Sequence, residues 1–291
     1  MLQIAGVTLI VVILAGALSG GGDVLDALPR EFAIVAGSGL GVLLLANDRR
    51  TAGRALAGLA LAFRGPRWSR EDYAQLLQLL QSLMLLARRE GVVSVERRLD
   101  SLDRCDLFAA APKVRNDVGL CDMIRVACDH LAFGAQSQGR GRQAIERAAQ
   151  SALDPDRRAA SALHGLADTL PALGIVAAVI GVVRALASLD LSPEVLGPLV
   201  AAALLGTLLG VVLAYGVVGP LAARFEQIVD TDAERYAVAD ATLNAFLDGA
   251  SPSQAIAAGR AALRPDMRPA DPSGMGVQNL ELARQARRDA A

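Results

Sequence analysis

The chain has few of the residues that build reactive or cross-linked proteins. Its 291 residues include only two histidines, three cysteines and 3% aromatic residues. The cysteines, Cys105, Cys121 and Cys128, fall in a segment that we predict to be cytoplasmic, where a reducing environment disfavours disulfides. Cys128 and His130 lie close in sequence, but no second pair completes a zinc-binding pattern. We therefore predict buried thiols, no metal site and no cofactor.

The sequence also lacks the motifs of an enzyme, since it has no phosphate-cradling glycine loop and no Ser/His/Asp nucleophile set. Its net charge of −1 gives no overall attraction for nucleic acid. An alternating strand pattern is missing as well. Hydrophobic residues make up 53% of the chain, and its mean hydropathy is +0.38. These hydrophobic residues are concentrated in blocks along the sequence. This composition predicts an all-α membrane protein that is not an enzyme.

Four windows of the sequence contain no Asp, Glu, Lys, Arg or His. They are Met1–Gly22, Phe32–Asn47, Thr169–Val183 and Val195–Ala223. A helix needs about 20 apolar residues to cross a bilayer, with roughly 17 as the lower limit. The first and fourth windows satisfy this, and the second and third do so if their ends tilt or lie against protein. The first lacks the basic region and cleavage site of a signal peptide, so we predict four transmembrane helices.

The four predicted spans form two hairpins around a long polar segment. The expected domains are a transmembrane hairpin at 1–46, a cytoplasmic helical domain at 47–167, a second hairpin at 168–223, a cytoplasmic helix at 224–262 and a disordered tail at 263–291. All basic residues except Arg30 and Arg184 lie outside the short connections at 23–31 and 184–194. By the positive-inside rule these connections are external and both termini are cytoplasmic.

Capping and breaking residues indicate helices in the polar parts of the chain. The expected helices cover 70–89, a short stretch capped by Ser94, 114–133, 142–165 and 224–247. Ser69 is the predicted N-cap of the first of these, and Gly91 ends it. Its apolar face comprises Tyr73, Leu76, Leu77, Leu80 and Met84. Before it, Thr51–Phe63 has helical spacing and is predicted to lie along the membrane surface, and a glycine-rich break is expected at 134–141.

The predicted spans contain no ionisable group, although such groups usually mark ion routes in membranes. Asp168 and Arg184 stand at span boundaries, where anchoring at the interface explains them. The chain alone is therefore not expected to relay protons through its side chains. If it lines an ion route, a partner supplies the titratable group. Gly37, Gly39 and Gly41 give the second span a small-residue face, suited either to another helix or to packing within the chain.

Two prolines lie at the cytoplasmic ends of the last two predicted spans. Pro171 and Pro220 could kink both helices at one depth and pass a change in the membrane to the cytoplasmic domain. Alternatively, Pro171 lies in the first turn of a helix, where proline is tolerated. Thr207 and Tyr215 are the notable polar residues of the fourth span, and Thr207 could instead bond its own helix backbone.

Four segments together resemble one known family. They are MLQIAGVTLIVV at the start, ARREGVVSVERRLD, DTLPALGIVAAVIGVV and GTLLGVVLAYGVVGPLA. In this order, over about residues 1–262, the chain resembles MotA, the stator subunit of the bacterial flagellar motor. The ExbB and TolQ energisers share related spans but typically have three spans in a different order.

The resemblance implies a pentamer in the bacterial inner membrane around two copies of MotB, whose single span carries the proton-binding aspartate. It implies that the cytoplasmic domain pushes on the rotor protein FliG and that membrane lipid surrounds the spans. Pro171 and Pro220 match the family's functional prolines, and Thr207 matches a threonine near the MotB aspartate. Gly174 and Tyr215 are assigned to the same ion path.

The resemblance also assigns the coupling ion and the rotor contact. Ala178 matches a position where sodium-driven relatives carry threonine, and alanine offers no side-chain oxygen, so proton coupling is predicted. Arg88 and Glu96 match charged residues that face the rotor, and Arg89 and Glu90 belong to the same predicted contact. Two alternatives stay open, an ExbB/TolQ-like energiser of an envelope-spanning partner and a purely structural membrane scaffold.

Overall fold

The computed structural model describes residues 2–18, 22–99, 106–133, 138–187 and 192–269, and these residues are almost entirely helical, without a β-strand. The helices are α1 (Leu2–Leu18), α2 (Gly22–Ala46), α3 (Arg49–Arg64), α4 (Arg70–Glu90), α5 (Val92–Leu99), α6 (Asp106–Ala109), α7 (Pro112–Arg115), α8 (Val118–Phe133), α9 (Gln138–Leu186), α10 (Pro193–Val211), a π-helical segment (Val212–Val218), α11 (Gly219–Leu247) and α12 (Pro252–Ala261). A 3₁₀ turn follows at Pro265–Met267. The all-α fold class is confirmed.

The chain divides into two units. The first comprises Met1–Gly65 and Pro155–Val229, and the second comprises Pro66–Asp154 and Asp230–Ala291. Within the first unit α10 packs on α2, and α1 contacts α3 and the π-helical segment. Within the second unit α4 packs against α5 and α12, and α5 against α8. The predicted domain limits concern membrane crossing and stay predictions.

Three described stretches are long and apolar enough to cross a membrane, judged by length and composition. They are Asp26–Ala46, Gly139–Leu186 and Leu196–Leu247. The first predicted span corresponds to α1, which has 17 residues, at the lower limit for a bilayer core. Three spans are therefore supported, and the fourth stays a prediction.

The connection between the first two predicted spans differs from the expectation. We expected a loop over 23–31, but α2 begins at Gly22 and includes Pro29 within the helix. Asp23 and Asp26 occupy the N-terminal turns of α2, where the helix dipole favours acidic residues. The prediction of a loop was wrong because the charged and proline residues that suggested it are compatible with the start of a helix.

The predicted helix over 142–165 and the third span are one element, α9, which runs for 49 residues from Gln138 to Leu186. No turn-forming pair separates them, and α9 contains both Pro155 and Pro171. The predicted break at 134–141 ends by Gln138, where α9 begins, and 134–137 lie outside the described residues. The polar and apolar halves therefore share one continuous backbone. The helix predicted over 224–247 was expected to continue the fourth span, and this is confirmed, because α11 follows α10 and the π-helical segment without a break and ends at Leu247.

The second unit confirms the prediction for α4. Ser69 and Asp72 form a reciprocal capping box, and Gly91 ends the helix with φ of +83°. The predicted apolar face is buried, since Tyr73, Leu76, Leu77, Leu80 and Met84 are each no more than 2% exposed. These side chains centre a core that also contains Phe108, Met123, Ile145 and Phe246.

Three local predictions in this unit need correction. Ser94 does not cap α5, because its hydroxyl donates to the Glu90 carbonyl (3.0 Å) from inside the helix. The helix expected over 114–133 is split, with a short turn before α8, which begins at Val118. The tail begins later than predicted, because Leu263 is 2% exposed and joins the core. The prediction for 270–291, and Cys105, lie outside the described residues, whereas Cys121 and Cys128 are buried as predicted.

Candidate functional site

Helices α9 and α10 meet through backbone rather than side chains. A Cβ placed on Gly174 would lie 2.9 Å from the Gly206 carbonyl oxygen and 3.0 Å from Gly210 Cα. A Cβ on Gly210 would lie 2.7 Å from Gly174 Cα and 2.8 Å from the Leu170 carbonyl oxygen. Any side chain at either position would force the two helices apart. Gly174, assigned in sequence to the ion path, therefore lies at a close backbone contact between these helices.

The close contact extends towards the other end of the two helices. A Cβ on Gly181 would lie 2.6 Å from Ala203 Cβ, and one on Gly206 would lie 3.0 Å from Ala177 Cβ and 3.4 Å from the Ala178 nitrogen. Small residues three, four and seven apart share one helix face, which is how membrane helices approach closely. Ala178 is half-buried beside Gly206 and has no side-chain oxygen.

Thr207 follows Gly206 and is also half-buried. The hydroxyl of Thr169 donates to the Leu166 carbonyl (2.9 Å), and that of Thr242 donates to the Val238 carbonyl (2.7 Å). Among the described residues no such bond is found for the Thr207 hydroxyl. The assignment of Thr207 to the ion path therefore stays a prediction.

Pro171 lies in the interior of α9, far from either end of the helix. The alternative that it occupies a first turn is therefore wrong. Because proline has no N–H, the Ala167 carbonyl four residues earlier loses its helical donor. The Leu170 carbonyl, next to Pro171, is the group that faces Gly210. Pro171 thus lies next to a residue whose carbonyl is in close contact with α10.

Pro220 follows a π-helical segment, Val212–Val218, which the sequence analysis missed. At its end the Gly219 N–H bonds to the Ala214 carbonyl, five residues earlier. Pro220 cannot donate to the Gly216 carbonyl, and its ring crowds that group. A wider π turn relieves the crowding, and such turns are frequent at functional positions. The only sequence signal was the proline with its neighbouring glycines.

The π-helical segment also carries Tyr215, which is 67% exposed. The next residue, Gly216, faces α1, since a Cβ there would lie 3.7 Å from Ile10 Cδ1. At its end, Gly219 comes within reach of Ala167, one turn before Pro171, at 3.9 Å between Cβ positions. The residue before Pro220 therefore lies near the turn of α9 that precedes Pro171.

The prediction that no span contains an ionisable group concerns the stretch from Phe32 onward in α2, and it stays a prediction. The second candidate span begins at Asp26 and includes Arg30 and Glu31. Glu31 is 2% exposed, and Arg30 Nη2 lies 3.0 Å from its Oε1. These groups lie in the first half of α2, because the helix starts earlier than predicted. The stretches Phe32–Asn47, Thr169–Val183 and Val195–Ala223 keep the uncharged character read from the sequence.

The predicted rotor-facing residues belong to the second unit, and Arg88, Arg89 and Glu90 lie at the C-terminal end of α4. Arg88 Nη2 donates to the Ala250 carbonyl (2.9 Å), and its guanidinium lies 5.6 Å from the centre of the Phe246 ring. Arg88, Arg89 and Glu90 are exposed. Glu96 lies on α5, but its side chain falls outside the described residues. The structure therefore places three of these charges at the surface, and their contact with the rotor stays a prediction.

Polar contacts that sequence reasoning missed join α4 and α11 to neighbouring segments of the second unit. Lys113 Nζ lies 2.6 Å from Asp72 Oδ2, which also accepts from Ser69. Burial acts to raise the pKa of Asp72, but the hydrogen bonds from Lys113 and Ser69 outweigh it, and the pKa is lowered. Arg235 Nε lies 2.7 Å from Asp117 Oδ2. Because these ion pairs join residues that are distant in sequence, no local sequence pattern predicts them.

No group of three or more His, Cys, Asp or Glu residues that could hold a metal ion occurs among the described residues. The site consists of close backbone packing, two prolines and the half-buried Thr207. This arrangement suits a change of helix geometry rather than a bond-making reaction.

Comparison with known proteins connects this geometry to one family. The family model described as "Motility protein A N-terminal" matches residues 4–91, and the "MotA/TolQ/ExbB proton channel family" model matches residues 120–237. Motility protein A of Escherichia coli is 33% identical over 259 residues, covering 88% of each chain. That of Salmonella typhimurium is 32% identical over 241 residues, covering 83% of this chain and 82% of the relative.

The fold agrees with these matches. The solved structure of C. jejuni MotAB superimposes with a TM-score of 0.67 at 21% identity, over 91% of this chain and 96% of that chain. At this identity the similarity concerns the fold. Together with the sequence relatives, this similarity of fold confirms the predicted resemblance. The chain belongs to the motility protein A family, within the MotA/TolQ/ExbB proton channel family.

Proposed function

We propose that the chain is a stator subunit of the flagellar motor that assembles with MotB in the bacterial inner membrane and couples proton flow to torque on FliG. The observation that carries the proposal is the match to motility protein A along 88% of both chains at 33% identity. The glycine-packed helices with their two prolines support it, because they give the chain a wall that can change shape.

The proposed topology has four spans, with α1 as the first, and both termini in the cytoplasm. Five copies surround two copies of MotB. The positive-inside distribution supports this orientation, since Arg49, Arg50 and Arg54 directly follow the second span. With this orientation, the Glu31 end of α2 faces outward and the Pro171 end of α9 faces the cytoplasm.

In the proposed mechanism the titrating acid belongs to MotB. The uncharged stretches of α9 and α10 form the wall beside it, and the Thr207 hydroxyl is available to that acid. Neutralising a carboxylate in an apolar surrounding removes a large desolvation penalty, so protonation changes which wall geometry is preferred. In this mechanism α9 bends at Pro171, and α11 bends at the π-helical segment before Pro220. Because both helices also belong to the second unit, their movement is passed on as torque.

We expect proton flux only when this chain is reconstituted with its MotB. In liposomes carrying a pH gradient, the pair should conduct protons equally with sodium or potassium present, because Ala178 supplies no oxygen ligand for sodium. The chain alone should conduct no more protons than empty liposomes. Two controls are used: empty liposomes, and liposomes holding the chain with a MotB variant whose aspartate is replaced by asparagine. Flux through the chain alone would contradict the proposal, and flux that requires sodium would contradict proton coupling.

Charge reversal at the end of α4 should weaken torque. Arg88→Glu or Glu96→Lys removes an attraction to the rotor, and a reversed charge on FliG should restore part of the swimming speed. Exposed pairs contribute roughly 0–1 kcal/mol each, so each single change should reduce torque most at high load. Arg88 also donates to the Ala250 carbonyl, so a loss of torque could come from losing that hydrogen bond. The Arg88→Gln variant removes the charge without reversing it, and it therefore separates the loss of the Ala250 contact from the reversal of the charge.

The matched control is Arg70→Glu, at the exposed opposite end of the same helix. It should leave torque unchanged, since an acid is favoured in a first turn. Torque that is insensitive to Arg88 and Glu96 reversal at all loads would show that these residues do not face the rotor.

The second candidate, an ExbB/TolQ-like energiser of an envelope-spanning partner, is favoured only by the family model that spans all three names. A host lacking the chain separates the two. Flagella that assemble but do not rotate support the stator, whereas normal swimming with an envelope defect supports the energiser.

A further inference from the structure

A groove lies in the first unit where α2 ends, α3 begins and α9 passes. Its volume is about 580 Å³, and its walls include Leu43, Ala46 and Leu166 at one end and Asp48, Thr51 and Arg158 at the other. The apolar stretch of α2 ends at Ala46, and that of α9 begins at Thr169. The groove thus occupies the level at which two candidate spans change from apolar to polar.

The apolar end of the groove continues into exposed hydrophobic surface. Leu44 and Leu45, beside the groove on α2, are 56% and 90% exposed. Such side chains are stable next to hydrocarbon rather than water. A ligand for this groove therefore has an apolar chain for one end and a polar group for the other, which describes a membrane amphiphile.

The polar end presents one acid and one base. Asp48 caps α3, accepting from the Thr51 amide at 2.7 Å and from its hydroxyl at 3.2 Å. The Thr51 amide, with a smaller contribution from the Arg158 charge, lowers the pKa of Asp48, so the carboxylate is ionised at neutral pH. Arg158 is exposed and always charged. The residues that line the groove therefore include one carboxylate and one guanidinium, close enough for the Arg158 charge to act on Asp48.

We propose that this groove binds a zwitterionic phospholipid with a primary ammonium headgroup, of the phosphatidylethanolamine class. The lipid phosphate lies at the Arg158 guanidinium, the ammonium donates to the Asp48 carboxylate, and one acyl chain follows Ala46 and Leu166. Charge complementarity selects this occupant. An anionic headgroup would leave Asp48 facing negative charge, and a choline headgroup has no N–H to donate.

The test measures lipid retention by the purified full-length chain. In micelles with equal amounts of phosphatidylethanolamine, phosphatidylcholine and phosphatidylglycerol, native mass spectrometry counts the lipids that stay bound. Phosphatidylethanolamine should be retained about two- to fivefold over each of the others, the factor expected from one exposed charge contact. Equal retention of the three, or a preference for either other lipid, overturns the proposal.

Variants identify the groove as the site. Asp48→Asn keeps a helix cap and should remove the preference, and Arg158→Gln should lower retention of all three lipids. Arg157→Gln, the exposed neighbour that does not line the groove, is the control and should change neither. An unchanged preference in Asp48→Asn overturns the proposal, and Asp48→Ser, which also caps, repeats the test if the asparagine variant is unstable. Because MotB and FliG are not needed, this inference stands apart from the proposed function.

Discussion

Replacing Pro171 with alanine is expected to abolish torque while the stator complex still assembles. Alanine restores an N–H that can bond to the Ala167 carbonyl, so α9 becomes a regular helix at this point. An interior proline costs a soluble helix about 3 kcal/mol, so its removal should leave the thermal midpoint of the complex unchanged or raised. Helix α9 would then be more regular, and it could no longer bend where it meets α10.

The measurements are swimming, torque of tethered cells and co-purification with MotB. Pro155→Ala is a matched control, because Pro155 is a second interior proline of the same helix, about 24 Å away along its axis. It should keep torque. Loss of the Pro171→Ala complex from the membrane would make Pro171 a folding residue, and equal loss of torque in Pro155→Ala would show that any straightening of α9 suffices.

Replacing Gly210 with alanine is expected to destabilise the chain through a single added methyl group. Its Cβ would lie 2.7 Å from Gly174 Cα and 2.8 Å from the Leu170 carbonyl oxygen, both backbone atoms that cannot turn aside. Overpacking of this kind costs roughly 1–3 kcal/mol. With roughly 2–4 °C of thermal midpoint per kcal/mol for a domain of this size, the drop is readily measured in detergent.

The matched control is Gly37→Ala in α2, where an added Cβ meets nothing within 4 Å. It should leave the thermal midpoint unchanged or slightly raised, because alanine is the better helix former. Torque should fall in the Gly210 variant because α10 is displaced from Pro171. A Gly210 variant as stable as the Gly37 variant would mean that α9 and α10 do not approach this closely in the membrane.

Much of the architecture was predictable because it follows from local patterns. Uncharged windows predicted the apolar helices, and the spacing of Tyr73, Leu76, Leu77 and Leu80 predicted a buried face that the structure confirms. Ser69 and Gly91 marked the ends of α4 because capping depends on a few neighbouring residues. Where local signals were ambiguous, as over 23–31 and after Gly165, the predicted helix boundaries were wrong.

The sequence predicted which residues belong to the candidate site, but it did not predict how they are arranged in space. The resemblance supplied Pro171, Pro220, Thr207 and Ala178 one at a time, without saying which of them meet. The role of Gly174 as a contact residue depends on Gly206 and Gly210, which lie more than thirty residues later. The π-helical segment was invisible in sequence because it differs from an α-helix only in which carbonyl each N–H reaches.

By itself the sequence determined that this is a helical, largely apolar chain whose long uncharged stretches lack a titrating group, because composition and periodicity are local properties. Only the tertiary structure decided that glycines of α9 and α10 touch through backbone, that Gly219 lies near Ala167, and that Glu31 is buried within α2. Those facts depend on the distance between residues far apart in the chain, and close packing, unlike helix formation, has no short-range signature.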